Sequence, residues 1–149
     1  MNEKELRILL ADDDADDCLL FQEALEELTI SAKLTTVHNG EQLMLLLNKN
    51  NTDHDILFLD LNMPRKNGFD CLSEIRQNKE PDGLAVIPIS TSFHQDMISL
   101  LYKNGAQHFI RKPNEFSQLK HLIQNGIKIV AEAHSAQSVK KGFVVLRES

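Results

Sequence analysis

Acidic, hydroxyl and basic residues follow the ends of four short apolar runs in this sequence. In chain order they are Asp12 with Asp13, Asp60, Ser90 with Thr91, and Lys112. If the runs are parallel strands of one sheet, their carboxyl ends share an edge, and ligands of open α/β sheets bind at that edge. The sequence therefore predicts that three carboxylates, a hydroxyl and an amine converge on one site.

This combination of side chains suits phosphoryl transfer. Three crowded carboxylates cannot all stay ionised without a counter-charge, and Mg²⁺ accepts one or two carboxylates together with water and substrate oxygens. A carboxylate beside such a cation can act as the nucleophile toward phosphorus. A lysine and a hydroxyl that face it can bind the phosphoryl oxygens.

The elements that position these residues follow from hydropathy. Apolar runs of strand length alternate with segments of helical period, which predicts the order βαβαβαβαβα and a doubly wound α/β domain. The apolar runs are Leu6 to Ala11, Leu34 to Val37, Ile56 to Leu59, Leu84 to Ile89 and His108 to Ile110. The helical positions include Cys18, Phe21 and Leu25, then Leu43 and Leu47, then Phe69 and Leu72, then Leu100, and finally Phe116 to Val130.

Composition excludes several classes of protein. The 149 residues are 42% hydrophobic and carry a net charge of −6, which fits one globular domain and disfavours nucleic-acid binding. The N-terminus has no signal-peptide pattern, and no apolar stretch reaches the length of a membrane span. Cys18 and Cys71 lie far apart, as expected of reduced cysteines in a cytoplasmic protein.

Five segments together resemble the receiver domain of bacterial response regulators. They are LLADD, LFLDLNMP, PISTS, Gly105-Ala106 and FIRKP, in this order along the chain. The resemblance runs from about Leu6 to Val130. It implies a flavodoxin-like fold, with five helices around a five-stranded parallel sheet in the order 2-1-3-4-5.

The resemblance also implies a role for each site residue. Asp60 would be the phosphoacceptor, supplied by the phosphohistidine of a histidine kinase. Asp13 would bind Mg²⁺ directly, Asp12 mainly through water and Asn62 through its backbone carbonyl. Asp60 would also be a ligand of the Mg²⁺. Lys112 would pair with the phosphoryl group.

Two further positions would carry the conformational switch. Ser90 would be the switch hydroxyl, with Thr91 as the alternative, and Phe109 would be the aromatic switch residue. Their coupling would reshape the face formed by the fourth helix, the fifth strand and the fifth helix. Pro88 departs from expectation, because a proline in a central strand removes a ladder donor and is unfavourable unless a bulge absorbs it.

Other interpretations of the acidic residues apply to some positions and fail at others. Asp14, Asp16 and Asp17 are predicted to be solvated residues of a helix N-terminus. A calcium loop would need glycine where Asp17 stands. A phosphatase with an aspartate nucleophile would need a second carboxylate where Asn62 stands, so we expect no turnover enzyme.

We therefore expect a stand-alone response regulator without an output domain. Residues 1–130 would form the receiver domain and residues 131–149 a tail, whose apolar segment Phe143 to Leu146 packs back or pairs with a partner. The expected partners are a histidine kinase or phosphotransfer protein and an unidentified downstream protein, and a homodimer is compatible with the sequence. The acidic run and the apolar tail resemble those of single-domain receivers paired with phytochrome-like or other hybrid sensor kinases. The alternative is a binding module that keeps the receiver fold and is not phosphorylated.

Overall fold

The computed structural model contains six strands and five helices. The strands are β1 (Leu6–Ala11), β2 (Ala32–Val37), β3 (Ile56–Asp60), β4 (Ala85–Ser90), β5 (His108–Arg111) and β6 (Val144–Leu146). The helices are α1 (Ala15–Glu27), α2 (Gly40–Leu47), α3 (Gly68–Asn78), α4 (Gln95–Lys103) and α5 (Phe116–Ala136). The structure describes residues 5–48, 54–78, 84–90, 95–103, 108–113, 115–136 and 144–146.

The strands form one parallel sheet in the order β2-β1-β3-β4-β5-β6. Side chains of a strand alternate between the two faces, so the central strands supply two cores. Ile8 and Phe58 belong to the core that includes α1 and α5, and Leu9 and Leu57 belong to the core that includes α2 and α3. The predicted doubly wound arrangement and the strand order 2-1-3-4-5 are confirmed.

The two cysteines occupy opposite faces of this sheet. Cys18 of α1 and Cys71 of α3 are both buried and free. Burial raises the pKa of each thiol to about 11, and the charge of Asp12 adds to the effect at Cys18. Since the thiolate is the reactive form, both side chains act as packing residues at neutral pH.

Pro88 is accommodated in β4 without a bulge toward β3, where the register continues unbroken. The carbonyl of Ile89 accepts from the N–H of Leu61 on the β3 side, at 3.0 Å. The carbonyl of Ser90 accepts from the N–H of Lys112 beyond β5, at 2.8 Å. The backbone groups of successive residues in a strand point to opposite neighbouring strands, so those of Pro88 point toward β5. The described pairing between β4 and β5 begins one residue later, at Ile89. The missing donor therefore breaks no described ladder bond.

Two elements are described in the C-terminal region, where a tail after Val130 was expected. Helix α5 continues to Ala136, six residues beyond Val130. Strand β6 then adds to the edge of the sheet, parallel to β5, with Val144 opposite His108. Within the apolar segment, Val144–Leu146 thus pair through their backbone with the strand edge of β5, and Phe143 lies outside the described residues. Among the described helices, none combines the length and apolar character needed to cross a membrane.

Candidate functional site

The carboxyl ends of β1, β3, β4 and β5 bring the predicted polar residues together. Asp12 follows β1, Asp60 ends β3, Ser90 ends β4 and Lys112 follows β5. Three of these are almost fully buried, with exposed fractions of 2% for Asp12, 5% for Asp60 and 1% for Ser90. The apolar strands place these groups at the sheet edge, where the backbone N–H groups of the following loops can satisfy them.

Three carboxylates form the acidic trio, Asp12, Asp13 and Asp60. Each contributes one oxygen to a group in which all oxygens lie within 4.8 Å of one another. Asp13 is exposed, whereas the other two are buried. A set of oxygen-only donors that opens to solvent on one side fits a hard divalent cation, which keeps part of its water shell.

Backbone groups orient the two buried members of the trio. The N–H of Asn62 donates to Oδ1 of Asp60 at 3.0 Å, and the N–H of Asp14 donates to Oδ1 of Asp12 at 2.9 Å. The side-chain amide of Asn62 reaches Oγ of Ser90 at 3.5 Å. The second oxygens of both carboxylates are thereby left for other partners, including Lys112.

Lys112 is held between three carboxylates. Its Nζ lies 2.8 Å from Asp17, 3.1 Å from Asp12 and 3.9 Å from Asp60. Burial by itself lowers the pKa of Lys112, but the hydrogen bond to Asp17 and the charges of Asp12 and Asp60 outweigh it, so the pKa lies above its ordinary value. The ammonium is therefore a permanent positive charge at this site.

Sequence reasoning missed the part played by Asp17. It was expected to be a solvated first-turn residue; it does lie in the first turn of α1, but it is half-buried and its nearest charged partner is Lys112. The expectation for Asp14 and Asp16 is confirmed: Asp14 is the N-cap of α1 and accepts from the N–H groups of Asp16 and Asp17, and Asp16 is exposed. The available signal was the lysine that follows β5. To predict that Asp17 pairs with this lysine, one would have needed to know how α1 is placed relative to β5.

The proposed switch residues are only partly described. Ser90 is buried beside Asn62. Thr91 and the Gly105-Ala106 pair lie outside the described residues, and Phe109 is described only through its backbone in β5. His38, which the sequence had assigned no function, places its Nδ1 at 3.3 Å from the backbone carbonyl of Asp12.

The environment of Asp60 raises its pKa to about 6. Burial is the main cause, and the charge of Asp12 adds to it, whereas the N–H of Asn62 and the ammonium of Lys112 act in the opposite direction. The folded protein consequently binds a proton at Asp60 more readily than the unfolded chain does. Above pH 6 the ionised form of this carboxyl group opposes folding when no cation is bound.

A stability measurement checks this. In EDTA at pH 7.5, Asp60→Asn is expected to raise the free energy of unfolding by roughly 1–3 kcal/mol, because a neutral amide replaces a buried carboxylate. The gain should shrink as the pH falls from 6 toward 4, where Asp60 becomes protonated in the folded protein. Urea unfolding at both pH values tests the prediction, and a variant that is less stable at pH 7.5 would contradict it.

The fold and the site define a family. The response regulator receiver domain family matches residues 8–124, and the chain belongs to this family, whose members accept a phosphoryl group in two-component signalling. The resemblance inferred from the five sequence segments is confirmed.

The chain is similar to several response regulators of known sequence or structure. Response regulator Rcp1 of the cyanobacterium Synechocystis is 30% identical over 122 residues, which cover 78% of this chain and 83% of Rcp1. The crystal structure of the phosphorylated cyanobacterial phytochrome response regulator RcpA has a TM-score of 0.77 and 30% identity, covering 91% of this chain and 98% of RcpA. The Mn²⁺-bound form of Rcp1 has a TM-score of 0.71 and 26% identity, covering 93% of this chain and 98% of that structure.

Proposed function

We propose that Asp60 is the phosphoacceptor of this receiver domain. The observation that carries the proposal is that Asp60, at the end of the central strand β3, belongs both to the acidic trio and to the group of carboxylates around Lys112. Asp12 shares both contacts, but the N–H of Asp14 and the ammonium of Lys112 already occupy both of its oxygens at 2.9 and 3.1 Å. Oδ2 of Asp60 is 3.9 Å from Nζ of Lys112, so Lys112 does not hold this oxygen in a hydrogen bond.

We propose Mg²⁺ as the cation of the acidic trio. Asp12, Asp13 and Asp60 would hold it with the backbone carbonyl of Asn62, and when bound it would neutralise charge on the phosphoryl oxygens. The donor set supports this, since all donors are hard oxygens. The manganese-bound form of the related Rcp1 supports a divalent cation in general.

In the proposed reaction, an oxygen of Asp60 attacks the phosphorus of a phosphohistidine. The P–O bond forms as the P–N bond breaks, and the imidazole nitrogen keeps the electron pair and takes up a proton. Lys112 and the hydroxyl of Ser90 bind the phosphoryl oxygens in the transition state. No general base is required, since a carboxylate attacks in its ionised form.

Ser90 would also transmit the signal, with Thr91 as the alternative hydroxyl. The carbonyl of Ser90 accepts from the N–H of Lys112 at 2.8 Å, which ties the end of β4 to the end of β5. A hydroxyl drawn toward the phosphoryl group would therefore act on β5, which carries Phe109. The face formed by α4, β5 and α5 would change its population of states as a result.

The proposed setting is a cytoplasmic two-component pathway. The partner that supplies the phosphoryl group would be a histidine kinase or phosphotransfer protein, of the phytochrome-associated kind named for RcpA. Residues 1–130 would form the phosphorylated unit and residues 131–149 an accessory segment that can contribute to a homodimer. The chain would exchange its phosphoryl group and would not act as a turnover enzyme or bind nucleic acid.

Acetyl phosphate tests the function on the wild-type protein. With Mg²⁺ present, we expect a mass gain of one phosphoryl group, which peptide mapping after borohydride reduction should locate at Asp60. EDTA should prevent the labelling. A protein that stays unmodified and also fails to bind beryllofluoride would instead be the non-phosphorylated binding module considered as the alternative.

A further inference from the structure

We infer that Asp17 is a positioning residue that competes with the phosphoryl group for Lys112. The inference rests on the proposed function, because it concerns the availability of Lys112 to a phosphorylated Asp60. The observation behind it is the ion pair between Asp17 and Lys112, which phosphoryl transfer to Asp60 does not require. Among the described residues, the carboxylate nearest to Nζ of Lys112 is that of Asp17, at 2.8 Å.

The distances divide the partners of Lys112 into two groups. Asp17 at 2.8 Å and Asp12 at 3.1 Å are within hydrogen-bond range, whereas Asp60 at 3.9 Å is beyond it. The ammonium is therefore displaced from Asp60 toward α1. A direct hydrogen bond to the acceptor side chain requires Nζ to move away from its present position.

Asp17 differs from the other two partners in its relation to the cation site. Asp12 and Asp60 belong to the acidic trio, so a bound cation shares their negative charge. Asp17 does not belong to the trio and keeps its full charge for Lys112. Loading the cation site consequently weakens the hold of Asp12 and Asp60 on the ammonium more than that of Asp17.

The helix fixes Asp17 in this place. Asp14 caps α1, and its side chain accepts from the N–H of Asp17 at 3.2 Å. Asp17 and Phe21, four residues apart and so on one helix face, line a cavity of about 70 Å³ together with Lys112 and Pro113. Since the cap and the helix register hold its backbone, Asp17 keeps its carboxylate beside Lys112 at little conformational cost.

Together these observations give Asp17 a defined effect. The Asp17–Lys112 pair stabilises the unphosphorylated arrangement, in which the ammonium is withheld from Asp60. The phosphoryl group must draw Lys112 out of this pair. Asp17 therefore weakens the binding of a phosphoryl group, or of its mimic, at Asp60.

Beryllofluoride binding in the presence of Mg²⁺ tests the inference. Asp17→Asn should bind the mimic about 3- to 10-fold more tightly than wild type, the range expected when one half-exposed ion pair is removed. Asp17→Glu should remain close to wild type. Asp16→Asn is the matched control, since it removes the same charge from the same helix turn at an exposed position. Calorimetric titration gives all four dissociation constants.

A second pair of variants separates competition for Lys112 from simple repulsion of the anion. In a Lys112→Met background, Asp17→Asn should change the affinity by less than about two-fold, because the shared partner is absent. An equal gain in both backgrounds, a gain equal to that of Asp16→Asn, or weaker binding by Asp17→Asn would each overturn the inference. Failure of the wild-type protein itself to bind the mimic would instead refute the proposed function.

Discussion

Replacing Asp60 with asparagine should abolish phosphorylation of this protein by acetyl phosphate. The amide keeps the size of the side chain and can still accept from the N–H of Asn62, which lies 3.0 Å from Oδ1 in the wild-type protein. It has no anionic oxygen to attack phosphorus, and so the chemical step is lost rather than slowed. We expect labelling to fall at least about 100-fold, a change of the size seen when a catalytic group is removed.

Asp55→Asn is the matched control for this substitution. Asp55 immediately precedes β3, at the opposite end of the strand from Asp60, and its carboxylate accepts from the N–H of Arg7 at 2.8 Å. An asparagine there can keep that hydrogen bond, so labelling should stay near the wild-type level. The test is intact-protein mass spectrometry over a time course with Mg²⁺. Undiminished labelling of Asp60→Asn would show that another residue is the acceptor.

Replacing Gly68 with alanine should destabilise the fold and also impair the site. A Cβ at Gly68 would lie 2.6 Å from the carbonyl oxygen of Asp60 and 2.6 Å from Cα of Leu61. Both are backbone atoms, so the strand end must shift to relieve the overlap. We expect a loss of about 1–3 kcal/mol in the free energy of unfolding, the usual range for overpacking a core. Helix propensity alone would predict the opposite sign, because alanine is the better helix former.

The same shift should slow phosphorylation. The overlap displaces the backbone of Asp60 itself, and small displacements of a reacting group can reduce rates by a factor of about 10 to 100. Gly126→Ala is the control, since its Cβ would meet side-chain atoms only, the nearest being Cδ1 of Ile87 at 3.3 Å. Urea unfolding and labelling rates for both variants test the prediction. It would be contradicted if Gly68→Ala were as stable and as rapidly labelled as Gly126→Ala.

These two predictions depend on different parts of the molecule. The Asp60 substitution changes only the chemistry of one atom, and it leaves the architecture of the sheet edge in place. The Gly68 substitution leaves every functional group in the sequence and moves the backbone that carries one of them. If both variants lose labelling but only Gly68→Ala loses stability, the acceptor and its scaffold will have been distinguished experimentally.

Much of the fold could be predicted from local pattern. The strands β1, β3 and β4 are apolar because helices cover both of their faces, and such runs are visible without any tertiary information. The start of α3 also follows from a local rule: asparagine is a favoured N-cap residue, and the side chain of Asn67 accepts from the N–H of Asp70 at 2.9 Å. The addition of β6 was not visible, since it depends on pairing with the edge of β5.

Part of the site could likewise be predicted from the sequence. Strand order and strand ends were enough to predict that Asp12, Asp13, Asp60, Ser90 and Lys112 would meet, because parallel strands deliver their carboxyl ends to one edge. The sequence by itself determined which groups are present there and hence the class of chemistry. It also singled out Asn62, which lies beside Asp60 in the structure.

Only the tertiary structure decided how those groups share their partners. Burial, not sequence, raises the pKa of Asp60 to about 6. The packing of α1 against α5 accompanies a distance of 2.8 Å between Asp17 and Lys112, although 95 positions separate the two residues. Such contacts depend on distances between elements, and a pattern of residue types along one chain carries no such distances. The meeting of these groups was therefore predictable from sequence, and the short contact between Asp17 and Lys112 was not.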